Sequence, residues 1–304
     1  MPRILLLFVD GVGIGPGDEE VNPFLRARLP VLSELLGQVP TLEDLSASAG
    51  TGRDTGDVRL LPLDACLGVE GLPQSGTGQI TLLTGRNAAQ LFGRHFGPWP
   101  PVRLRPLLDR ENLLVRARAA GFDVTFANAY PRNYPGNRSS RLVAAPPLAA
   151  RSADLLNRHH EALAAGEAVA SEIVNEGWRR MMGPQRIPAV TPREAGTTLA
   201  RLAGEAHLTL FAHYLTDLAG HRGGMAGAVE ALERVDGFLG GVLDDLPADV
   251  LLLLVSDHGN VEDVRGGHTR NPALGLAVGP SARRLPARPD LTAIAPAVLD
   301  LLEV

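Results

Sequence analysis

Residues Val250 to Val255 form an unbroken aliphatic run, Val-Leu-Leu-Leu-Leu-Val, and the chain then passes directly into Ser256-Asp257-His258-Gly259-Asn260. A run of this length without polar alternation is the pattern of a strand covered on both faces, so the chain must supply helices on both sides of a sheet. Such a strand, ending in Asp-His-Gly, delivers a carboxylate and an imidazole to its C-terminal edge, where open α/β sheets hold their ligands. Adjacent Asp and His side chains would diverge if the strand continued. Gly259 predicts a sharp turn that lets them converge. His268 follows within one loop as a third candidate. Taken alone, the segment also fits an ordinary strand end with a turn aspartate and a surface histidine.

The rest of the chain repeats the theme. Ile4 to Val9 is a second buried strand, closing on Asp10-Gly11-Val12-Gly13. A dinucleotide fingerprint fails here, because Pro16 stands where the third glycine belongs and Asp10 occupies the strand tip where phosphates would approach. Asp10 suits a metal ligand, although a turn residue is the plain alternative. Further strands are expected at Phe122–Asn128, Leu208–Leu215 and Leu274–Val278. Helices are expected at Val31–Leu36, Glu111–Ala120, Pro192–Ala206 behind a Thr191 cap, Val229–Leu246 and Leu291–Leu302. This alternation predicts an α/β fold, a doubly wound, mostly parallel sheet. Pro131 to Pro147 is loop-rich, and Ser152 to Met182 is alanine-rich with helical period. Residues 131–190 are therefore expected to form a small, mainly helical insert or lid between core segments 1–130 and 191–304. Its Arg132, Arg138 and Arg141 are candidate anion clamps, with a solvated charged face as the competing reading.

Composition removes several classes. All 29 basic residues are arginine, which excludes lysine Schiff-base chemistry and the Walker-A phosphate loop. A net charge of -5 gives no case for nucleic acid or an acidic membrane surface as partner. Cys66 is the sole cysteine, so neither an intrachain disulfide nor a multi-thiolate metal site can form. The apolar run at Ile4–Val9 is too short for a secretory signal and is interrupted by Asp10, and no stretch approaches the roughly 18 residues of a membrane span. A cytoplasmic protein is expected.

Leu72-Pro73-Gln74-Ser75-Gly76-Thr77-Gly78-Gln79 has the form of a Gly-rich turn opening a helix, a place that suits a phosphate or a serine nucleophile. An ordinary helix cap would use the same residues. Asp217 and His221 lie four apart after the Leu208–Leu215 strand, so one helical turn would set both on one face. His213, within that strand, is expected to be a core or supporting histidine. Asp10, Ser75, Asp217 with His221, and Asp257 with His258 are expected at four strand ends, with His268 in a loop. Three carboxylates with three imidazoles suit a two-metal centre for Mn²⁺ or Zn²⁺ rather than Mg²⁺ or Ca²⁺. Two such ions about 4 Å apart can clamp both the attacking and the leaving oxygen of a phosphoryl transfer.

In order and combination, Phe8-Val9-Asp10-Gly11, Gln74-Ser75-Gly76-Thr77-Gly78, Asp217-Leu218-Ala219-Gly220-His221, Asp257-His258-Gly259-Asn260 and Gly267-His268-Thr269 resemble the alkaline phosphatase superfamily. The resemblance is greatest to its branch of cofactor-independent phosphoglycerate mutase and phosphopentomutase. It covers the N-terminal strand, the nucleophile loop and the chain after about residue 190. It implies that Asp217, His221 and His268 hold one metal, and that Asp10, Asp257, His258 and the Ser75 oxygen hold the other. It further implies a phosphatase or phosphomutase that works through a phosphoserine on Ser75 and acts on a small phosphorylated metabolite. Thr77 is the rival nucleophile or a substrate contact. Gln79 replaces a histidine of the mutases and Gly76 an acidic residue, and the insert is far shorter than the mutase substrate domain; these departures argue against phosphoglycerate mutase activity itself. Thr77 and Gln79 occupy the Pro and Arg places of the sulfatase motif. A phosphodiesterase on the same metals, or a non-catalytic metal-binding regulatory protein, are the alternative readings.

Overall fold

The structure, a computed structural model, describes residues 2–47, 57–135 and 142–303. Six strands form one sheet: β1 (Arg3–Val9), β2 (Val58–Leu63), β3 (Val124–Phe126), β4 (Leu208–His213), β5 (Val250–Val255) and β6 (Ala273–Val278), in the order β2-β6-β5-β1-β4-β3. β5, β1, β4 and β3 run parallel, while β6 pairs antiparallel with both β5 and β2. The two aliphatic runs that dominate the sequence lie side by side at the centre, with Leu6 opposite Leu253 and Leu7 opposite Leu254.

Alternation along β1 divides the core. Ile4, Leu6 and Phe8 face the helices Ser75–Thr84, Leu113–Ala119, Ala145–Ser152 and Ile294–Leu302. Leu5, Leu7 and Val9 face Pro30–Leu36, Pro192–Gly204 and Gly224–Asp245. Leu252 and Leu253 are both fully buried, on opposite faces, so truncating either to alanine removes packing worth about 2–5 kcal/mol. The Thr191 cap is a capping box: Thr191 accepts from the Glu194 N–H, and Glu194 accepts from the Thr191 N–H.

Two features differ from the expectation. β2 is a strand in a region where the sequence shows only a mixture; its Pro62 is tolerated because β2 lies at the sheet edge and needs no second ladder. The alanine-rich stretch Ser152–Met182 is not continuously helical. It contains short helices at His160–Ala164 and Glu176–Met182 joined by turns, around a small cluster of Ala129, Leu163, Ala168, Ala170, Trp178 and Ile187. Earlier in the 131–190 span, the helix Ala145–Ser152 buries Ala145, Leu148 and Ala149 in the main core. Among the described residues no helix is long and apolar enough to cross a membrane.

Candidate metal centre

The C-terminal ends of β1, β4 and β5 point to one edge of the sheet, as parallel pairing requires. Asp10 follows β1, and its N–H donates to the His213 carbonyl at 3.0 Å. Gly11 next to it adopts a positive φ of 68°, and a side chain there would meet Asp217 at 2.6 Å. That turn directs the Gly11 N–H to Asp257 Oδ1 at 3.3 Å and so joins the first and fifth strand ends. Gly259 serves differently from the expectation. Its φ is not in the left-handed region; what it allows is close approach, because a Cβ would lie 2.3 Å from both Glu262 Oε1 and Thr269 Oγ1.

Ser75 does not follow a strand of the sheet directly. It is the first residue of the helix Ser75–Thr84, and Gln74 occupies the cap position. The Ser75 side chain is buried, with Oγ 2.9 Å from His258 Nε2, so it meets the array instead of closing the helix end. Thr77 is engaged elsewhere: its Oγ1 accepts from the Phe96 N–H at 3.2 Å. Gln79, where the mutases carry histidine, donates to Asp10 Oδ2 at 3.0 Å and accepts from the Ala145 N–H at 3.1 Å.

Among the described residues the metal-type donors fall into two groups, Asp10 with Asp257 and His258, and Asp217 with His221 and His268. Within each group the donor atoms lie within 4.8 Å of one another. His258 Nε2 is 3.4 Å from Asp10 Oδ1 and 3.7 Å from Asp257 Oδ2. His221 and His268 each place Nε2 3.5 Å from Asp217, and 3.0 Å from each other. The His258 and His268 rings stack at 3.9 Å, which brings the two groups together. His268 Nδ1–H donates to the Pro73 carbonyl at 2.7 Å, which leaves the Nε2 lone pair for a cation.

The electrostatics call for positive charge. Asp10 Oδ1 and Asp257 Oδ2 are buried and accept no hydrogen bond. Burial, and then the Asp257 charge, hold the Asp10 carboxyl well above its ordinary range. Burial opposes charge on His258, yet Asp257 and Asp10 outweigh it and push the imidazole up to about 10. For Asp217, burial is overcome by hydrogen bonding to His268, the His258 charge and Asn260, which pull it to about 2. Buried carboxylate oxygens without donors, set beside imidazole nitrogens, form a donor set that fits a divalent cation.

Glu262 carries no local mark in the sequence. It is fully buried; Oε2 accepts from the Gly13 and Asn260 N–H groups at 3.0 and 2.7 Å, and Oε1 from Thr269 Oγ1 and Asn271 Nδ2 at 2.5 and 3.1 Å. One carboxylate thus ties together the three loops that carry Asp10, His258 and His268. Of the candidate anion clamps, Arg132 lies at the surface, paired with Glu161 at 2.7 Å. Arg138 and Arg141 lie outside the described residues.

Fold and site together define an α/β protein with two adjoining groups of Asp and His donors of metal-ligating type at the parallel sheet edge. A family model described as Metalloenzyme superfamily matches residues 2–304, and the chain belongs to that superfamily. Its sequence relatives include the 2,3-bisphosphoglycerate-independent phosphoglycerate mutase of Acaryochloris marina, 38% identical over an alignment of 106 positions that covers 29% of this chain and 20% of that protein. The phosphopentomutase of Clostridium beijerinckii is 46% identical over 65 residues, 21% of this chain and 16% of that protein. The matched stretch therefore spans about a fifth of the relatives' own length. A Pyrococcus horikoshii protein shares the fold with a TM-score of 0.56 at 14% identity, covering 99% of this chain and 97% of that one. Alkaline phosphatase from the Antarctic bacterium TAB5 does so with a TM-score of 0.51 at 11% identity, covering 99% and 98%. The family model thus places the chain among the metalloenzymes, the sequence matches give it stretches similar to the two mutases, and alkaline phosphatase shares its fold.

Proposed function

We propose that this chain is a two-metal phosphoryl-transfer enzyme, a phosphatase or phosphomutase, that forms a phosphoserine on Ser75 and acts on a small phosphorylated metabolite. The observation that carries the reading is the position of Ser75: its Oγ lies 2.9 Å from His258 Nε2, on the first turn of a helix, beside two donor-less carboxylate oxygens. Asp217, His221 and His268 would hold one ion, and Asp10, Asp257 and His258, with the Ser75 oxygen, the other. When bound, Mn²⁺ or Zn²⁺ supplies Lewis-acid charge that favours the serine alkoxide and the departing oxygen.

Ser75 Oγ attacks phosphorus as its proton passes to solvent, and the bond from phosphorus to the ester oxygen breaks. The leaving group departs with the bond's electron pair and takes up a proton. The positive end of the helix and the Ser75 and Gly76 N–H groups would favour the phosphoryl oxygens, the Thr77 N–H being taken by the Phe96 carbonyl. Water then accepts the phosphoryl group in a phosphatase, or a second substrate hydroxyl in a mutase. Residues 131–190 would contribute the substrate-side cover.

The test is the metal content of the purified protein together with hydrolysis of an aryl phosphate monoester, with and without added Mn²⁺ or Zn²⁺. Two metals per chain and metal-dependent turnover are expected. Faster turnover of a diester would replace this reading with a phosphodiesterase, and failure to load any metal would end it.

A further inference from the structure

Beyond the ligand array, at the C-terminal ends of β3 and β4, lies a cavity of about 530 Å³. Its walls include Tyr130, Tyr134, Trp178 and Tyr214, and Asn133, Ser171 and Glu172 add polar side chains. The cavity adjoins the metal centre through the chain itself. Val9 pairs with His213, and the Asp10 N–H donates to the His213 carbonyl, so Tyr214 is the cross-strand neighbour of Asp10. Two residues on, Thr216 donates to the Asp10 carbonyl at 2.5 Å, and Asp217 follows. The cavity wall and the metal ligands therefore share the segment 214–217.

Charge narrows what the cavity can take. Among the described residues its lining contains one carboxylate, Glu172, which accepts from the Gly177 N–H at 2.6 Å, and neither arginine nor histidine. The chain has no lysine, and Arg132 is turned to Glu161. A carboxylate or second phosphate entering here would lose water with no cation among the described lining residues to replace it. The tyrosine and tryptophan faces instead suit a flat ring, which gains from stacking and from loss of apolar surface to water.

Resting on the phosphoryl-transfer reading, we infer that this cavity receives the substrate's leaving group, and that the leaving group carries an uncharged aromatic ring of nucleobase or aryl size. Among the described residues the lining offers no cation for the carboxylate of phosphoglycerate, so the site disfavours a charged leaving group.

Two measurements test this on the metal-loaded protein. The first follows Trp178 fluorescence in a Trp99→Phe background during titration with adenosine or with glycerate, and needs no turnover. Saturable quenching by adenosine and none by glycerate is expected. The second compares kcat/KM for phenyl phosphate, phosphoglycerate, ribose phosphate and phosphocholine. Phenyl phosphate is expected to lead by about tenfold or more, and Tyr134→Ala to weaken it mainly through KM, a change of about 1.4 kcal/mol per tenfold. A lead for any of the other three esters overturns the inference, as does a Trp178 signal indifferent to adenosine. If no ester is turned over, the phosphoryl-transfer reading falls, while the fluorescence titration still decides whether the cavity accepts a ring.

Discussion

Asn260 Nδ2 donates to Asp217 Oδ1 at 2.6 Å and to the Asp217 carbonyl at 3.1 Å. The loop that carries Asp257 and His258 thereby also orients the leading carboxylate of the other ligand group. The residue is buried, and a Cβ on Gly220 would lie 2.6 Å from its amide, so the helix bearing Asp217 and His221 is seated directly on it. Supporting hydrogen bonds of this kind are worth about 10–100-fold in metal affinity. Asn260→Ala is expected to weaken one metal by that factor and to leave the ion at Asp10, Asp257 and His258 nearly unaffected. Calorimetric metal titration reads both sites, and two unchanged affinities would show that Asp217 is held without the amide.

Glu262 accepts four hydrogen bonds from three loops and, once Glu262 is changed to Gln, an amide N–H₂ must face at least one of those donors. Leaving buried donors unsatisfied costs about 1–3 kcal/mol. Glu262→Gln is therefore expected to lower the urea midpoint by that much stability, and to loosen metal binding at His268, whose loop is pinned through Thr269. A variant with wild-type stability and metal affinity would remove Glu262 from the supporting structure of the site.

How much of this was legible differs from element to element, for physical reasons. Ile4–Val9 and Val250–Val255 announce themselves because strands buried on both faces leave no polar interruption. β2 does not, since Arg59 and Pro62 are permitted by an edge position that only the assembled sheet creates. The antiparallel direction of β6 is likewise a property of pairing, absent from its local pattern. Asp10, Asp257, His258 and His268 stand out as polar residues beside glycine turns after apolar runs. Glu262 has no such mark. Its function consists of hydrogen bonds to residues as distant as Gly13, and no local spacing encodes them.

His213 is fully buried at the end of β4, with Nδ1 2.8 Å from the Ser171 carbonyl, and burial depresses its pKa to about 4. The unfolded chain, with histidine near 6.5, binds the proton first, so stability is full above about pH 6.5 and declines as pH falls towards 4. The difference amounts to an order of 3 kcal/mol across that window. Urea unfolding from pH 7 to 4 is expected to show this loss, and a His213→Gln variant to show a shallower slope over the same range. Parallel slopes in the two proteins would assign the acid sensitivity to other groups.

Ser75 and Thr77 share the first turn of one helix, but the structure gives them different work. Ser75 Oγ is directed at His258 Nε2, whereas Thr77 holds the Phe96 loop through Oγ1 and through its N–H, which donates to the Phe96 carbonyl at 2.9 Å. A side chain at Gly76 between them would meet the Trp99 carbonyl at 2.3 Å, which is why the acidic residue of the mutases has no room here. Ser75→Ala is expected to retain its metals and to lose turnover by about a thousandfold or more, as removal of a nucleophile does. Acid-quenched enzyme should carry label from a radioactive phosphate ester in the wild type and none in Ser75→Ala. Thr77→Ala should remain labelled, with some loss of stability as the Phe96 loop is released. Label that survives in Ser75→Ala and disappears in Thr77→Ala would transfer the nucleophile to Thr77.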